Sequence, residues 1–199
     1  MSETYVQLPP DAAGKKLRAV SKSISAQTVY SEYQVADYKL NFVGSYAICL
    51  RVVGSASASY QFLSLYNPSG SGRIFKIKAI IIVVDTGSVA NQVRLVRTTS
   101  LGTGTSQSAV PKDSGFSASV SNIRSALSGN ATLNKVVLGI AKPTTATYAL
   151  LNANYKDASL EDDQIVLREV EGIVIEQLSG GAATEYLSIT IEWDEYTAS

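Results

Sequence analysis

The sequence predicts an all-β protein: a jelly-roll-like antiparallel β-sandwich with an extended N-terminal arm and at most one short helix. Three observations predict it. Tyr186–Asp194 reads Y-L-S-I-T-I-E-W-D, with Leu187, Ile189, Ile191 and Trp193 on one face and Tyr186, Ser188, Thr190, Glu192 and Asp194 on the other. That period of two marks a half-buried strand. Similar segments recur along the chain between turn-forming clusters of Gly, Pro, Asn and Ser, with almost no helical period between them. The chain has 199 residues, 45% of them apolar, enough to bury a proper core within one all-β domain.

Met1–Lys22 does not read as core. It carries Pro9-Pro10, Asp11, Gly14 and Lys15-Lys16, with apolar residues only at intervals. The prolines favour an extended course and break a ladder, so 1–22 is expected to be an arm that orders on a partner, and 23–199 the sandwich body. Within Ser23–Ala36, Val29, Ser31, Tyr33 and Val35 alternate with Tyr30, Glu32 and Gln34, which predicts a first strand. Tyr46–Val53 is the next, with Tyr46, Ile48, Leu50 and Val52 on one face. Ser59–Tyr66 is aromatic and ends in Asn67-Pro68-Ser69-Gly70-Ser71-Gly72, a strong turn signal. Arg73–Asp85 is the longest strand. Phe75, Ile77, Ala79, Ile81 and Val83 form one face; Lys76 and Lys78 open the other, which Ile80, Ile82 and Val84 continue. Its second half is therefore expected to be covered on both sides. Asn91–Thr99 follows after a short, hairpin-like connection.

Leu101–Phe116 is rich in Gly, Ser and Thr and reads as a long surface loop. Val120, Ile123 and Leu127 stand at i, i+3 and i+7 with Gly129 just beyond, which predicts the one short helix. Asn134–Ala141 is a strand, and Lys142–Asp163 reads as irregular. Ile165–Glu169, Gly172–Leu178 and Tyr186–Asp194 close the fold. The excursion over Leu101–Ala131 breaks a simple meander and favours a jelly-roll path.

Seventeen Lys and Arg balance seventeen Asp and Glu, which argues against a nucleic-acid partner. Lys15, Lys16, Arg18 and Lys22 in the arm are too few to change that. The balance hides an asymmetry. From Asn41 to Asn154 two acids stand against ten bases, and from Tyr155 onward eleven acids stand against two bases. Either the acids pair with the bases inside one fold, or opposed patches meet between subunits. The single cysteine, Cys49, excludes an internal disulfide and reads as a small packed thiol. Met1–Pro10 lacks the apolar run of a signal peptide. The apolar stretch Ala79–Val84 is too short to span a bilayer, so no membrane is expected.

The chain has no histidine, so no His-based triad, His-metal site or Cys–His pair exists. The glycines at 70/72 and 102/104 lack the following Lys-Ser/Thr and helix of a phosphate loop and read as turn glycines. The carboxylate pairs Glu169/Glu171 and Glu192/Asp194 would serve a glycosidase only inside a cleft. Glu161-Asp162-Asp163 supplies hard oxygens without calcium-loop spacing. Trp193 is in phase with the core and is a poor sugar platform. No enzyme activity, cofactor, metal or small-molecule substrate is expected.

Two stretches carry a family resemblance. Tyr5-Val6-Gln7-Leu8-Pro9-Pro10-Asp11-Ala12-Ala13-Gly14-Lys15-Lys16 resembles the "YVQ-x-x-PD-x-x-GKK" start of virion structural proteins from tailed bacteriophages, with Thr28-Val29-Tyr30 standing where a Thr-Val strand follows in those proteins. Phe62–Arg73 resembles their "F-x-L-x-NP-x-GSG-K" turn, and Ile191-Glu192-Trp193-Asp194-Glu195 their C-terminal "W-x-E" strand. The middle, Leu101–Asp163, does not match. The resemblance implies a virion component assembled in the host cytoplasm, foremost a decoration or cement protein of the head. It implies the major capsid protein or another virion protein as partner. A homo-oligomer is expected, with a trimer favoured by analogy with the local three-fold points of a shell. The arm residues expected to touch the partner are Tyr5, Val6, Leu8, Pro9, Pro10, Lys15, Lys16, Leu17 and Arg18. The alternative is a tail or baseplate structural protein, or a carbohydrate-binding (receptor-binding) module.

Overall fold

The computed structural model describes residues 18–24, 27–33, 40–57, 59–85, 91–142, 148–154, 165–178 and 186–198. The chain divides into two compact units, Met1–Lys39 with Ser199, and Leu40–Ala198. In the first, β1 (Arg18–Ile24) and β2 (Gln27–Tyr33) pair as an antiparallel ribbon, from Ile24 opposite Gln27 to Arg18 opposite Tyr33. β2 lies inside the first strand expected at 23–36. β1 runs through Lys22, where the arm was expected to end.

The second unit is a sandwich of two antiparallel sheets packed face to face. Its strands are β3 (Leu40–Val53), β4 (Gln61–Asn67), β5 (Arg73–Asp85), β6 (Asn91–Thr98), β7 (Thr103–Gln107), β8 (Val110–Pro111), β9 (Asn122–Gly129), β10 (Leu133–Lys142), β11 (Tyr148–Asn154), β12 (Val166–Leu167), β13 (Glu171–Gln177) and β14 (Tyr186–Ala198). One sheet has the order β11-β5-β14-β3-β8, and the other β10-β6-β13-β4-β9-β7. β12 pairs with β5 at Phe75 and Lys76. Setting aside β7, β8, β9 and β12 leaves β3-β14-β5-β11 facing β4-β13-β6-β10. The chain changes sheet at every step except β6 to β10. The late strands β13 and β14 slot between β4 and β6 and between β3 and β5. This is the jelly-roll path.

Alternation places the core. Leu187, Ile189, Ile191 and Trp193 of β14 are buried, as are Ile173 and Ile175 of β13 and Leu63 and Leu65 of β4. Trp193 packs against Tyr46 and Phe75, with ring centroids at 6.1 and 6.5 Å. In β5 the expected phase holds only for the first half. A register shift against β14 falls between Glu192 opposite Ala79 and Trp193 opposite Ile77. Beyond this bulge the core face is Ile80, Ile82 and Val84, while Ile81 and Val83 turn to the half-covered outer face. An extra residue in a strand inverts every later side chain.

Three further expectations are corrected. Asn122–Gly129 is a strand, not a helix. Ile123, Ser125 and Leu127 are buried and alternate with exposed or half-buried neighbours. Apolar residues at i and i+4 satisfy both periods, and pairing with β4 and β7 selects the strand. The expected loop 101–116 holds β7 and β8, and the expected irregular stretch 142–163 holds β11. Thr103–Gln107 has little apolar alternation of its own and gains its ladder from β9. A second small apolar cluster (Leu127, Ala131 and Val174, with Leu133 packed on it) is held by Gln61. The Ala131 N–H donates to Gln61 Oε1 at 2.8 Å, and Gln61 Nε2 donates to the Ala131 carbonyl at 3.3 Å.

Candidate functional site

Tyr5, Val6, Leu8, Pro9, Pro10, Lys15, Lys16 and Leu17 lie outside the described residues. Arg18 opens β1, opposite Tyr33.

The acids of the C-terminal third pair with bases of the middle of the chain. Asp194 meets Lys78 at 3.2 Å and also accepts a hydrogen bond from Ser45. Glu192 meets Lys112 at 2.5 Å. Glu176 is buried and takes both Nε (2.7 Å) and a terminal nitrogen (2.6 Å) of Arg94. Glu171 stands 3.8 Å from Arg97. These pairs set four of the eleven C-terminal acids against bases inside one fold, three of them because the topology lays β13 beside β6 and β14 beside β5. Glu195 is buried and accepts hydrogen bonds from Ser119 and from Trp193 Nε1, the latter at 3.3 Å. The carboxylate pair Glu192/Asp194 is thus held by ion pairs on the face of a sheet. Glu161-Asp162-Asp163 lies outside the described residues. Among the described residues no three His, Cys, Asp or Glu side chains gather as a metal cluster.

Glu169 has a structural task. Its carboxylate accepts the N–H groups of Gly72 at 2.7 Å and Gly70 at 3.1 Å. Both glycines have positive φ, 62° and 74°, a conformation that favours glycine. Asn67 closes the same turn by donating through Nδ2 to the carbonyls of Arg73 (2.8 Å) and Leu167 (3.2 Å). The two backbone donors, Gly72 first, hold the Glu169 carboxyl below its usual 4.5. A depressed folded-state pKa contributes stability that is present above the unfolded value and lost as pH falls through the folded one. Glu169→Gln is therefore expected to lower the melting temperature slightly at neutral pH. The gap from the wild type should close in acid. Thermal melts of both proteins across that range check this; a gap independent of pH would contradict it.

The outer face of the β11-β5-β14-β3 sheet carries the solvent-facing side chains of interest. Cys49, expected to be packed, is exposed there, and Thr190 Oγ1 donates to its sulfur at 3.3 Å. Residue 49 is out of phase with the core positions of β3, and no layer covers it among the described residues. A thiol-specific reagent should label the folded protein stoichiometrically without denaturant; labelling only after unfolding would contradict this. Arg51 lies 4.0 Å over the Tyr186 ring. Phe42 is 51% exposed and makes edge contacts with Phe116 and Tyr196, forming an aromatic patch near one end of the sandwich. Trp193, in contrast, is fully buried and offers no sugar platform.

One feature escaped sequence reasoning. β3 pairs with β14 along one side from Leu40 to Val53. On its other side, among the described residues, it pairs only with β8, at Tyr46 and Ala47. Ile48–Val53 is thus a strand edge with no partner strand among the described residues. Which strand stands at the end of a sheet is a property of long-range pairing, and no local pattern in Tyr46–Val53 signals it.

No family model matches the chain, and no curated protein matches it. Among solved structures, a chain in a structure of infectious bursal disease virus Gt strain is 11% identical with a TM-score of 0.12. The alignment covers 98% of this chain and 52% of that one, so this chain spans about half of that chain's length. A likeness of that size carries no argument about fold or function.

Proposed function

We propose that this chain is a structural virion protein of a tailed bacteriophage, a decoration or cement protein that binds and stabilises the head. In this reading the leading segment and the contacts between subunits grip the shell, and the partner is the major capsid protein or another virion protein. The supporting observation is that the body is a jelly-roll sandwich in which Glu169, Glu176, Glu192 and Asp194 are tied to structural partners, while apolar side chains stand exposed. Such a body acts by surface contact. The resemblance in Tyr5–Lys16 and in Phe62–Arg73 supplies the phage context. Many modest contacts repeated over a lattice attach strongly through avidity. A closed homo-oligomer, a trimer foremost, suits local three-fold points.

Electron micrographs of particles carrying an antibody-labelled or tagged copy test the assignment. Label on the head is the expected result. Label confined to the tail or baseplate would replace this reading with the tail alternative. Glycan binding by the protein, lost on Phe42→Ala, would favour a receptor-binding module built on the exposed Phe42 and the half-buried Phe116 and Tyr196 beside it.

A further inference from the structure

The open edge of β3 calls for a partner. Along Ile48–Val53 backbone donors and acceptors face outward with no strand beside them among the described residues, a state that folded proteins cover or exploit. Ile48 is buried, whereas Leu50 and Val52 pack on the core but remain partly uncovered. Cys49, Arg51 and Val53 are exposed on the other face. A strand added here needs apolar residues two apart on one side, polar or aromatic ones on the other, and a stop. Glu3-Thr4-Tyr5-Val6-Gln7-Leu8 has that pattern. When extended, Val6 and Leu8 share one face with Thr4, and Glu3, Tyr5 and Gln7 share the other. Pro9-Pro10 then ends the ladder. The open edge and this segment are each six residues long, and Glu3 brings an acid to the face that carries Arg51.

We propose that Glu3–Leu8 of a second copy of this chain adds as an antiparallel strand to the Ile48–Val53 edge. With Val6 opposite Leu50, Leu8 stands opposite Ile48 and Gln7 opposite Cys49. An arm-to-edge contact is heterologous, and such contacts close rings when the rotation between copies permits. The inference rests on the oligomer of the proposed function and names what holds it together.

Cys49, the sole cysteine, is a built-in reporter. The test uses the full chain with Gln7→Cys or, as control, Val6→Cys, mildly oxidised and run on non-reducing gels. Cross-linking from position 7 should exceed that from position 6 by about tenfold, because side chains pointing apart cannot be bridged. Tyr5→Cys reports the same face with the register moved by two residues, and its success in place of Gln7→Cys also supports strand addition. Mixing Gln7→Cys/Cys49→Ser chains with wild type should yield disulfide-linked dimers, which identifies the donor as a second copy. Equal yields from both faces, or bridges only within single chains, would overturn the proposal. So would an oligomer whose mass in solution is unchanged by removing Met1–Leu17. All of these measurements use free protein, so their failure leaves head attachment, read from micrographs, standing or falling by itself.

Discussion

Removing Met1–Leu17 is expected to abolish attachment to phage heads while the sandwich stays folded. The cut precedes β1, which begins at Arg18 and is laddered to β2. A deeper cut at Lys22 would strip most of that ladder and confound the arm with the ribbon. The body does not need the segment: Leu40–Ala198 is a compact unit holding both sheets and the main core. If the arm supplies one of several linked contacts, its loss should weaken attachment by about 100-fold or more, since linkage raises apparent affinity by about 10²–10⁴. Co-sedimentation with heads lacking the protein measures the first half, and circular dichroism with a thermal melt the second. A truncated chain that still sediments with heads like the full one would remove the arm from the mechanism.

Trp193→Ala should produce the largest loss of stability available to a single change. Trp193 is the sole tryptophan and is fully buried between Tyr46 and Phe75. Emptying such a site costs about 3–5 kcal/mol, the usual range for Trp→Ala in a core. A second cost follows, because Trp193 Nε1 is a donor to the buried Glu195 carboxylate. That oxygen keeps its hydrogen bond from Ser119, so the loss of one of its two donors adds about 1 kcal/mol. Against a total stability of about 5–15 kcal/mol, the variant should be partly unfolded at physiological temperature, or melt about 10 °C or more below wild type. Trp193→Phe keeps most of the volume but loses the donor and part of the ring, so it should fall between wild type and Trp193→Ala. Urea unfolding followed by far-ultraviolet dichroism separates the three. A Trp193→Ala protein as stable as wild type would show that this aromatic cluster is not central to the core.

Much of the sandwich was legible because alternation is local. Arg73–Asp85 and Asn91–Thr98 are strands where period two and turn residues put them, and Trp193 is in the core as its phase required. The misreadings have two physical sources. Ile123 and Leu127 lie four apart, a spacing shared by a helix face and a strand face, so only the pairing of β9 decides. β7 and β11 lack a strand pattern that stands out locally, because their ladders are completed by β9 and β5. β11 borrows its ladder from β5, with Leu150 opposite Val83. The bulge in β5 belongs with these, since it is set by the register against β14. Of the candidate site, the Glu169 turn was half visible: the Asn67–Gly72 cluster announced a turn, but the carboxylate that locks it comes from about a hundred residues later in the chain.

By itself the sequence determined the all-β class, the order of the principal strands and the burial of Trp193, because each depends on the facing of adjacent residues. It also held both halves of the charge asymmetry. Only the tertiary structure decided that the late acidic strands β13 and β14 lie beside the early basic strands β6 and β5, so that four of the late acids are ion-paired within one body. It alone exposed Cys49 and left the Ile48–Val53 edge of β3 without a partner strand among the described residues. Strand neighbours in a jelly roll are chosen by contacts across the whole chain, and a local pattern carries no record of that choice.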